Sequence, residues 1–314
     1  MTDRMLLSRT AESLYWLARY VERADSTARL IEMGHRMAMI PGSYSQLEWR
    51  SVAAASGCLD QFEDPDGITD TAIIRTLILD KDNPSSIRAC LEAGRANARS
   101  VRTALTIQLW EALNDGWRKL ELMDVADVQR DLSGLLDWIK LRGATIRGAS
   151  TSSMLRDDAY VFLGLGGYVE RADMTLRLLD VKSYLLLPET DVVGGGRDYH
   201  QWTSVLHATS AVRAYHHVYR SDYSPWNIAD FLILNRRFPR SVAFSYAKIS
   251  HCLDLLAEMY GEEHPCHVTA RELVADFKRL QMGEIFQDGL TEFVHGAIRR
   301  TERLGREIYA AYHF

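Results

Sequence analysis

Apolar residues recur at alternating three- and four-residue spacing along most of this chain, which is the periodicity of amphipathic α-helices. Two segments show it most clearly, with apolar residues at Leu14, Leu17, Val21, Ala24, Ala28 and Ile31 and at Phe162, Leu165, Val169, Ala172, Leu176 and Leu179. No stretch alternates with a period of two for long enough to predict a sheet. The pattern therefore predicts an all-α fold.

The same two segments share a sequence. The hexapeptide YVERAD occurs at residues 20–25 and again at residues 168–173, an offset of 168 − 20 = 148. Two further matches follow in the same order, WRSV with WTSV at an offset of 202 − 49 = 153 and LILDKDNPSSI with LILNRRFPRSV at an offset of 232 − 77 = 155. Ordered matches of this kind predict an internal duplication.

We interpret residues 1–314 as one domain, a helical bundle of two duplicated halves around a pseudo-twofold seam. The first repeat covers about residues 1–150 and the second about residues 151–314. Further helices are predicted at about residues 46–61, 69–79, 84–114 and 125–147, and at about residues 198–219, 227–234, 239–260, 269–281 and 290–312.

Glycine and proline predict where some of these helices begin and end. Gly34 and Pro41 are expected to close the first helix, and Pro188 and Gly194 to close the first helix of the second half. Pro84 and Pro239 are expected in the first turn of their helices, where proline is tolerated. Asn114, before an Asp-Gly pair, is expected to cap the C-terminus of the helix at residues 84–114.

The repeated hexapeptide places charges on an apolar face. In each copy a second set of positions follows helical spacing, Trp16, Tyr20, Arg23, Thr27 and Leu30 in the first and Gly164, Tyr168, Arg171, Thr175 and Leu178 in the second. A helix that is apolar on two faces is packed on two sides, so each arginine needs a carboxylate or carbonyl partner. Packing about a pseudo-twofold axis would supply two reciprocal pairs, Glu22 with Arg171 and Glu170 with Arg23.

Two further pairs are predicted within single helices. Asp25 precedes Arg29 by four residues, and Asp173 precedes Arg177 by four residues, which is the favourable order for a helical ion pair. Two interpretations of the whole cluster stay open. It is either a structural ion network that fixes the register of the two halves, or the lining of a ligand cleft in which the arginines bind a carboxylate or phosphate.

The two copies differ at two glycines. Trp16 in the first copy corresponds to Gly164 in the second, and Gly166 follows two residues later. Glycine is unfavourable inside a helix, so these positions predict a close approach between helices, with Trp16 packed on the backbone at Gly164 or Gly166. The run lacks the third glycine of a dinucleotide-binding fingerprint, so no phosphate site is predicted there.

Other candidate sites are sparse. Arg95, Arg99 and Arg102 would form one basic stripe on the helix at residues 84–114, which is either a solvated face or a docking surface for an acidic partner. The His and Cys residues of HPCH at 264–267 are expected in a polar loop between helices, and zinc binding there is the less favoured alternative. Neither a metal nor a cofactor is predicted.

Composition narrows the classes of partner and compartment. The net charge is −5 and 47% of the residues are apolar, so the chain has a core but no basic excess for nucleic acid. Its four cysteines are far apart without a CxxC pair, which is typical of a reducing compartment. The longest apolar run is about half a membrane span. We therefore expect a cytoplasmic protein that binds neither nucleic acid nor membrane; a homo-oligomer is compatible with these features.

Four stretches together resemble the alpha-E family, bacterial all-helical proteins with a Glu-Arg motif. They are SRTAESLYWLARYVERADSTARLIE, DKDNPSSIRACLEAGRANARSVR, LWEALN and GGYVERADMTLRLLD. The resemblance covers nearly the whole chain, and it assigns the motif to Glu22 and Arg23 and, through the repeat, to Glu170 and Arg171. It implies two partners, a circularly permuted ATP-grasp protein and a transglutaminase-like cysteine peptidase, and hence a peptide or amide-ligation system.

Two hypotheses of function follow from the resemblance. The chain is either a non-catalytic helical module that docks on the ATP-grasp ligase and holds its substrate, or an enzyme that acts on an activated acyl or peptidyl intermediate through the Glu/Arg cluster. No nucleophile, metal or cofactor motif is evident, which favours the module. A deep pocket converging on Glu22 and Glu170 with perturbed carboxylates would favour the enzyme.

Overall fold

A computed structural model of the chain describes residue 6 and residues 8–39, 45–184, 195–220 and 222–314. All of its regular structure within those ranges is helical. The α-helices are α1 (Ser8–Ala38), α2 (Ser45–Ala55), α3 (Asp70–Ile73), α4 (Ile87–Ser100), α5 (Ile107–Glu121), α6 (Val125–Arg130), α7 (Leu132–Ser153), α8 (Asp158–Tyr184), α9 (Gly196–Ala208), α10 (Val212–Tyr219), α11 (Pro225–Ile233), α12 (Val242–Tyr260), α13 (Pro265–Arg279), α14 (Met282–Asp288) and α15 (Leu290–Tyr312). A π-helical segment, Ile74–Leu79, continues α3 directly. The prediction of an all-α fold is confirmed.

Helices α1 and α8 carry the two copies of YVERAD and pack against each other. Helices α2, α4, α7 and α9 surround α1, whereas α2, α12 and α15 surround α8. Both central helices are therefore buried on more than one side, as their two apolar faces predict. Leu14, Leu17, Leu165 and Leu176 are fully buried in the core that results.

The prediction of one helix over residues 84–114 is wrong, because the α-helix is interrupted between Ser100 and Ile107. Thr106 adopts an extended backbone, and its hydroxyl accepts a hydrogen bond from the Leu109 amide, so it starts α5 as an N-cap. Asn114 consequently lies inside α5 instead of capping a helix. The helix predicted at residues 125–147 is likewise split, because Asp131 caps a new helix by accepting a bond from the Gly134 amide.

Three other boundaries differ from the sequence prediction. The segment at residues 198–219 forms two helices because Ser210 has a positive φ of 55°. Pro84 and Pro239 precede the N-caps Ser86 and Ser241, so they lie outside the first turn. Pro41, Pro188 and Gly194 lie outside the described residues.

Gly34 does not end α1. It lies inside the helix, at a position where packing against α2 requires a glycine. A Cβ at Gly34 would lie 2.5 Å from Val52 Cγ2 and within 3 Å of the Trp49 ring. The missing side chain therefore lets α2 lie directly on α1, and the helix continues to Ala38. Close packing accounts for this glycine where the sequence suggested a stop.

Contacts at equivalent positions of the two halves agree with the proposed duplication, which stays an inference from the sequence. Thr27 donates a hydrogen bond to the carbonyl of Ser85 at 3.3 Å, and Thr175 donates one to the carbonyl of Arg240 at 3.0 Å. Thr27 and Thr175 are 175 − 27 = 148 residues apart, and Ser85 and Arg240 are 240 − 85 = 155 apart, the offsets of the sequence repeats. In each half, a threonine of the central helix therefore donates a hydrogen bond to a carbonyl of the loop that precedes a later helix.

Candidate site between the two repeated helices

Both reciprocal ion pairs predicted from the repeat are present. Arg171 Nε and Nη2 donate to the two carboxylate oxygens of Glu22, each at 2.9 Å. Arg23 donates to Glu170 through Nε at 2.6 Å and Nη2 at 3.2 Å. Each pair is bidentate, the strongest geometry for an arginine and a carboxylate, and each joins α1 to α8.

The predicted pairs within helices are also present. Arg29 Nη2 lies 3.2 Å from Asp25 Oδ1, and Arg177 Nε donates to Asp173 Oδ2 at 2.7 Å. Arg29 also donates through Nη1 to the carbonyl of Ala208 at 2.6 Å, so it ties α1 to α9. All eight predicted residues therefore form ion pairs, which fall into three groups centred on Glu22 with Asp25, on Glu170 and on Asp173.

Two arginines that the sequence did not single out complete the first copy of the motif. Arg147 of α7 donates to Glu22 at 3.0 Å and to Asp25 at 3.3 Å. Arg240, in the loop before α12, donates to Glu22 at 3.1 Å and also to Asp25. The repeat gave no indication of Arg240, because the residue at the equivalent position of the first half is Ser85.

The second copy is completed by Arg19, one helical turn before Arg23. Its Nε donates to Glu170 at 2.7 Å, and its guanidinium lies 4.9 Å from the centre of the Trp16 ring. Spacing of four residues on the same face was the one indication of this role in the sequence. Trp16 therefore packs on Arg19, and its predicted position against the backbone of Gly164 or Gly166 is wrong.

The arginines keep the motif carboxylates ionised. Burial alone would raise the pKa of Glu22, but the guanidinium groups of Arg171, Arg240 and Arg147 outweigh burial and hold that pKa well below its usual range. Burial acts in the same direction on Glu170, where Arg19 and Arg23 nevertheless lower the pKa to about 2. Both carboxyl groups are therefore ionised near neutral pH.

The two aspartates of the motif behave oppositely. Burial would raise the pKa of Asp25, but Arg240 and Arg29 lower it. Burial prevails at Asp173 and raises its pKa, because Arg177 offsets only part of the effect and Glu170 adds a like charge. Within the described residues, Oδ1 of both Asp25 and Asp173 is buried without a hydrogen-bond partner, so this property does not distinguish the copies. Charge compensation is nevertheless weaker at Asp173, the aspartate of the second copy.

A cavity of about 450 Å³ opens beside the first copy of the motif, between α1, α7, α8 and α12. Its charged lining consists of Glu22, Arg147, Arg156, Arg171 and Lys248. Much of the remaining wall is apolar, with Val21, Ile146, Leu163, Leu255 and Met259 among its residues. The cavity reaches Glu22 but not Glu170, so the two copies of the motif are not equivalent in access to a ligand.

The two glycines that distinguish the copies have separate roles. A Cβ at Gly166 would lie 2.1 Å from the carbonyl oxygen of Tyr15, so α8 approaches the backbone of α1 closely at this point. Gly164 instead lines the cavity, and a Cβ there would meet Cys252 Sγ at 3.7 Å, an ordinary contact. The predicted close approach is real, but its partner is Tyr15 and the glycine is Gly166.

Cys252 is the cysteine that lines the cavity, and its thiol is not poised to react. Burial raises its pKa to about 12, although Lys248 acts in the opposite direction. The thiolate, which is the nucleophilic form, is therefore scarce near neutral pH. Together with the ionised Glu22, this leaves the cavity suited to binding.

The predicted basic stripe is partly wrong. Arg95 lies 3.9 Å from the centre of the Trp117 ring and donates to Asn114 at 2.7 Å, so its guanidinium is engaged within the protein. Arg102 lies beyond the end of α4, with its guanidinium 5.3 Å from the centre of the Trp110 ring. Arg99 remains exposed on α4. The three residues do not lie on one helix, because α4 ends before Arg102, but Arg95 and Arg102 both lie beside the Trp110 ring.

The HPCH segment is not a loop between helices, because His264 caps α13 and Pro265 is its first residue. His267 is buried, with Nε2 at 3.1 Å from the carbonyl oxygen of Leu253. Throughout the described ranges, no group of three or more His, Cys, Asp or Glu residues is arranged to hold a metal ion. The histidines of this segment thus serve the start of a helix.

No helix among the described residues is long and apolar enough to cross a membrane. Comparison with curated proteins and with solved structures gave no match. The model of the Alpha-E family, described as a predicted alpha-helical domain with a conserved ER motif, matches residues 6–313. That match spans nearly the whole chain, and both copies of the ER motif lie within it at the contact of α1 and α8. The chain belongs to the Alpha-E family.

Proposed function

We propose that this protein is a non-catalytic binding module of an ATP-grasp-dependent peptide or amide-ligation system, in which it holds the substrate of the ligase. The cavity between α1, α7, α8 and α12 is the observation that carries the proposal. It combines cationic groups with an apolar wall, which is the combination that binds an organic anion. The ligation system itself rests on the family resemblance.

The charge balance around the first motif supports the binding of an anion. Two carboxylates, Glu22 and Asp25, are contacted by four guanidinium groups, those of Arg29, Arg147, Arg171 and Arg240, which leaves a net charge of 4 − 2 = +2. The bound carboxylates hold the arginines in place, and the excess positive charge attracts an anion. The motif is therefore best interpreted as the frame of a binding site.

The alternative, an enzyme acting on an activated acyl or peptidyl intermediate, has less support. A general acid or base needs a pKa near the working pH, and Arg171 and its neighbours hold the pKa of Glu22 far below it. A thiol nucleophile needs a lowered pKa, and burial raises that of Cys252. Glu22 and Cys252 are therefore not prepared for proton-transfer or covalent catalysis.

Docking on the ligase is a separate step, which we assign to the exposed face of α4 around Arg99. The neighbouring arginines, Arg95 and Arg102, are held against the tryptophans of α5, so this face is rigid. A rigid basic and aromatic face suits an acidic surface on the ATP-grasp protein. The transglutaminase-like protein would act on the same substrate or product in this system.

Co-purification of the tagged chain with a circularly permuted ATP-grasp protein from the same organism tests the proposal. We expect a stable complex, and we expect Arg99→Glu to weaken capture while Arg213→Glu, at an exposed arginine of α10, does not. Absence of a complex, together with no effect of the chain on ATP turnover by the ligase, would overturn the proposal. Equal capture by both variants would remove only the assignment of the docking face.

A further inference from the structure

We infer that the ligand of the central cavity is an amphiphilic oxyanion, a carboxylate or phosphate carried on an apolar chain, whose head group binds between Arg147 and Lys248. This inference rests on the proposed function, since it names the ligand of the same cavity. The observation behind it is which charged side chains of the cavity wall form ion pairs and which do not. Carboxylate and phosphate heads share this chemistry, so the experiment must separate them.

The cavity wall holds cations that no carboxylate neutralises. Among the described residues, Lys248 has no acidic group within ion-pair distance, and its Nζ lies 5.5 Å from the centre of the Phe244 ring. Arg156 donates to the carbonyls of Met154 and Thr151 and forms no ion pair within the same residues. Each therefore keeps a full positive charge facing a partly enclosed space, where charge attraction is stronger than in bulk water.

Arg147 connects this free charge to the buried network. Its Nη1 is shared by Glu22 and Asp25, while 32% of its side chain remains accessible. The guanidinium is thus fixed in orientation by two carboxylates and can still donate through its other nitrogens. A planar, pre-oriented donor of this kind binds a carboxylate or phosphate with little loss of side-chain freedom.

The apolar part of the cavity lining determines the rest of the ligand. Ile146, Leu163, Leu255 and Met259 contribute apolar surface, and Gly164 keeps the wall free of a side chain next to Cys252. A small inorganic anion would leave this surface in contact with water, whereas an apolar chain would cover it. A volume of about 450 Å³ suits a chain of several carbons with its head group.

Four probes with the same chain and different heads test the inference: octanoate, octyl phosphate, octylammonium and octan-1-ol. We expect both anions to bind and to shift the methyl NMR signal of Met259, while the signals of Met33 and Met37, which are buried residues of α1 outside the cavity lining, stay in place. Octylammonium should not bind, and octanol should bind more weakly than either anion. The tighter of the two anions identifies the natural head group.

Lys248→Met removes the free charge without opening an ion pair, so the fold should be retained. We expect it to weaken octanoate binding about tenfold, the effect of losing one charge-assisted hydrogen bond, and to leave octanol binding within about twofold. Lys119→Met is the matched control, because Lys119 packs on Trp138 away from the cavity. It should leave the binding of all four probes unchanged.

The outcomes separate this inference from the proposed function. Equal binding of octanoate and octanol, or equal octanoate binding by the wild type and Lys248→Met, would overturn the recognition of an oxyanion. No shift of Met259 with any probe would overturn the amphiphilic ligand. Either result leaves capture of the ATP-grasp protein to be judged by the co-purification experiment, which uses a different face of the molecule.

Discussion

Glu22 and Arg171 form a bidentate ion pair across the contact of α1 and α8, with both nitrogen–oxygen distances at 2.9 Å. Glu22 is buried, and 10% of the Arg171 side chain is accessible. Each residue belongs to a copy of the repeated hexapeptide, so the motif joins the two halves of the chain. Both residues of the pair line the cavity, together with Arg147.

The first prediction concerns the stability that this pair provides. Glu22→Ala removes the carboxylate partner of Arg171 and leaves Arg240 and Arg147 with Asp25 alone, so we expect it to lower the free energy of unfolding by about 3 to 5 kcal/mol. Combining it with Arg171→Met removes one orphaned charge and should recover part of the loss. Urea unfolding of the two single variants and the double variant measures this. A double variant whose loss equals the sum of the two single losses would show that the residues are not coupled.

The second prediction concerns pH and Glu170. Arg19 and Arg23 lower the folded-state pKa of Glu170 to about 2 from the ordinary glutamate value of 4.5. A lowered pKa stabilises the fold above the unfolded-state value, and this contribution is lost as the pH falls from 4.5 towards 2. The free energy of unfolding of the wild type should therefore exceed that of Glu170→Gln by about 3 kcal/mol at neutral pH. This difference should narrow below pH 4.5. A gap that stays constant down to about pH 3 would contradict the lowered pKa.

The third prediction compares the two aspartates at equivalent positions. Asp25→Asn should destabilise by about 2 kcal/mol or more, because it weakens charged contacts to Arg29, Arg147 and Arg240. Asp173→Asn should cost less, since burial raises the pKa of Asp173 and the charged form is already unfavourable. Thermal and urea unfolding at neutral pH give the comparison. If Asp173→Asn were the more damaging change, the assignment of the weaker site to the second copy would be wrong.

The fourth prediction separates the two glycines of α8. Gly166→Ala forces a Cβ onto the carbonyl oxygen of Tyr15 at 2.1 Å and should cost about 1 to 3 kcal/mol or more. Gly164→Ala places its Cβ at ordinary contact distance from Cys252, so it should leave stability unchanged or slightly raised. It should also reduce the cavity next to Cys252. Melting temperatures of the two variants provide the check, and equal melting would rule out the close approach.

The amino-acid sequence was sufficient to predict the central pair of helices and the ion pairs between them. Two identical hexapeptides, each with its arginine on a second apolar face, leave few arrangements in which all four charges are satisfied. The reciprocal contacts of Glu22 with Arg171 and of Glu170 with Arg23 follow from that constraint. Spacing of four residues was enough for Asp25 with Arg29 and for Asp173 with Arg177.

The residues that make the site asymmetric could not be predicted in the same way. Arg147 and Arg240 reach Glu22 from a helix and a loop far along the chain, and a periodic pattern carries no information about such contacts. The break after Ser100 was missed because local capping by Thr106 competes with a continuous helical pattern. The predictions for Gly34 and Gly164 were wrong because a glycine can let a neighbouring helix approach, end a helix or line a cavity. The sequence alone does not distinguish these three roles.

Glu22 supplies a fixed, ionised carboxylate to the frame of a binding cavity. Carbon-13 NMR of the Glu22 side-chain carboxyl group, assigned by comparison with Glu22→Gln and followed over the pH range, measures its ionisation. We expect an ionised carboxylate at every pH above the ordinary glutamate pKa of 4.5, with and without octanoate. A titration midpoint between about pH 5 and pH 8, where a general acid or base must titrate, would contradict it and favour the enzyme.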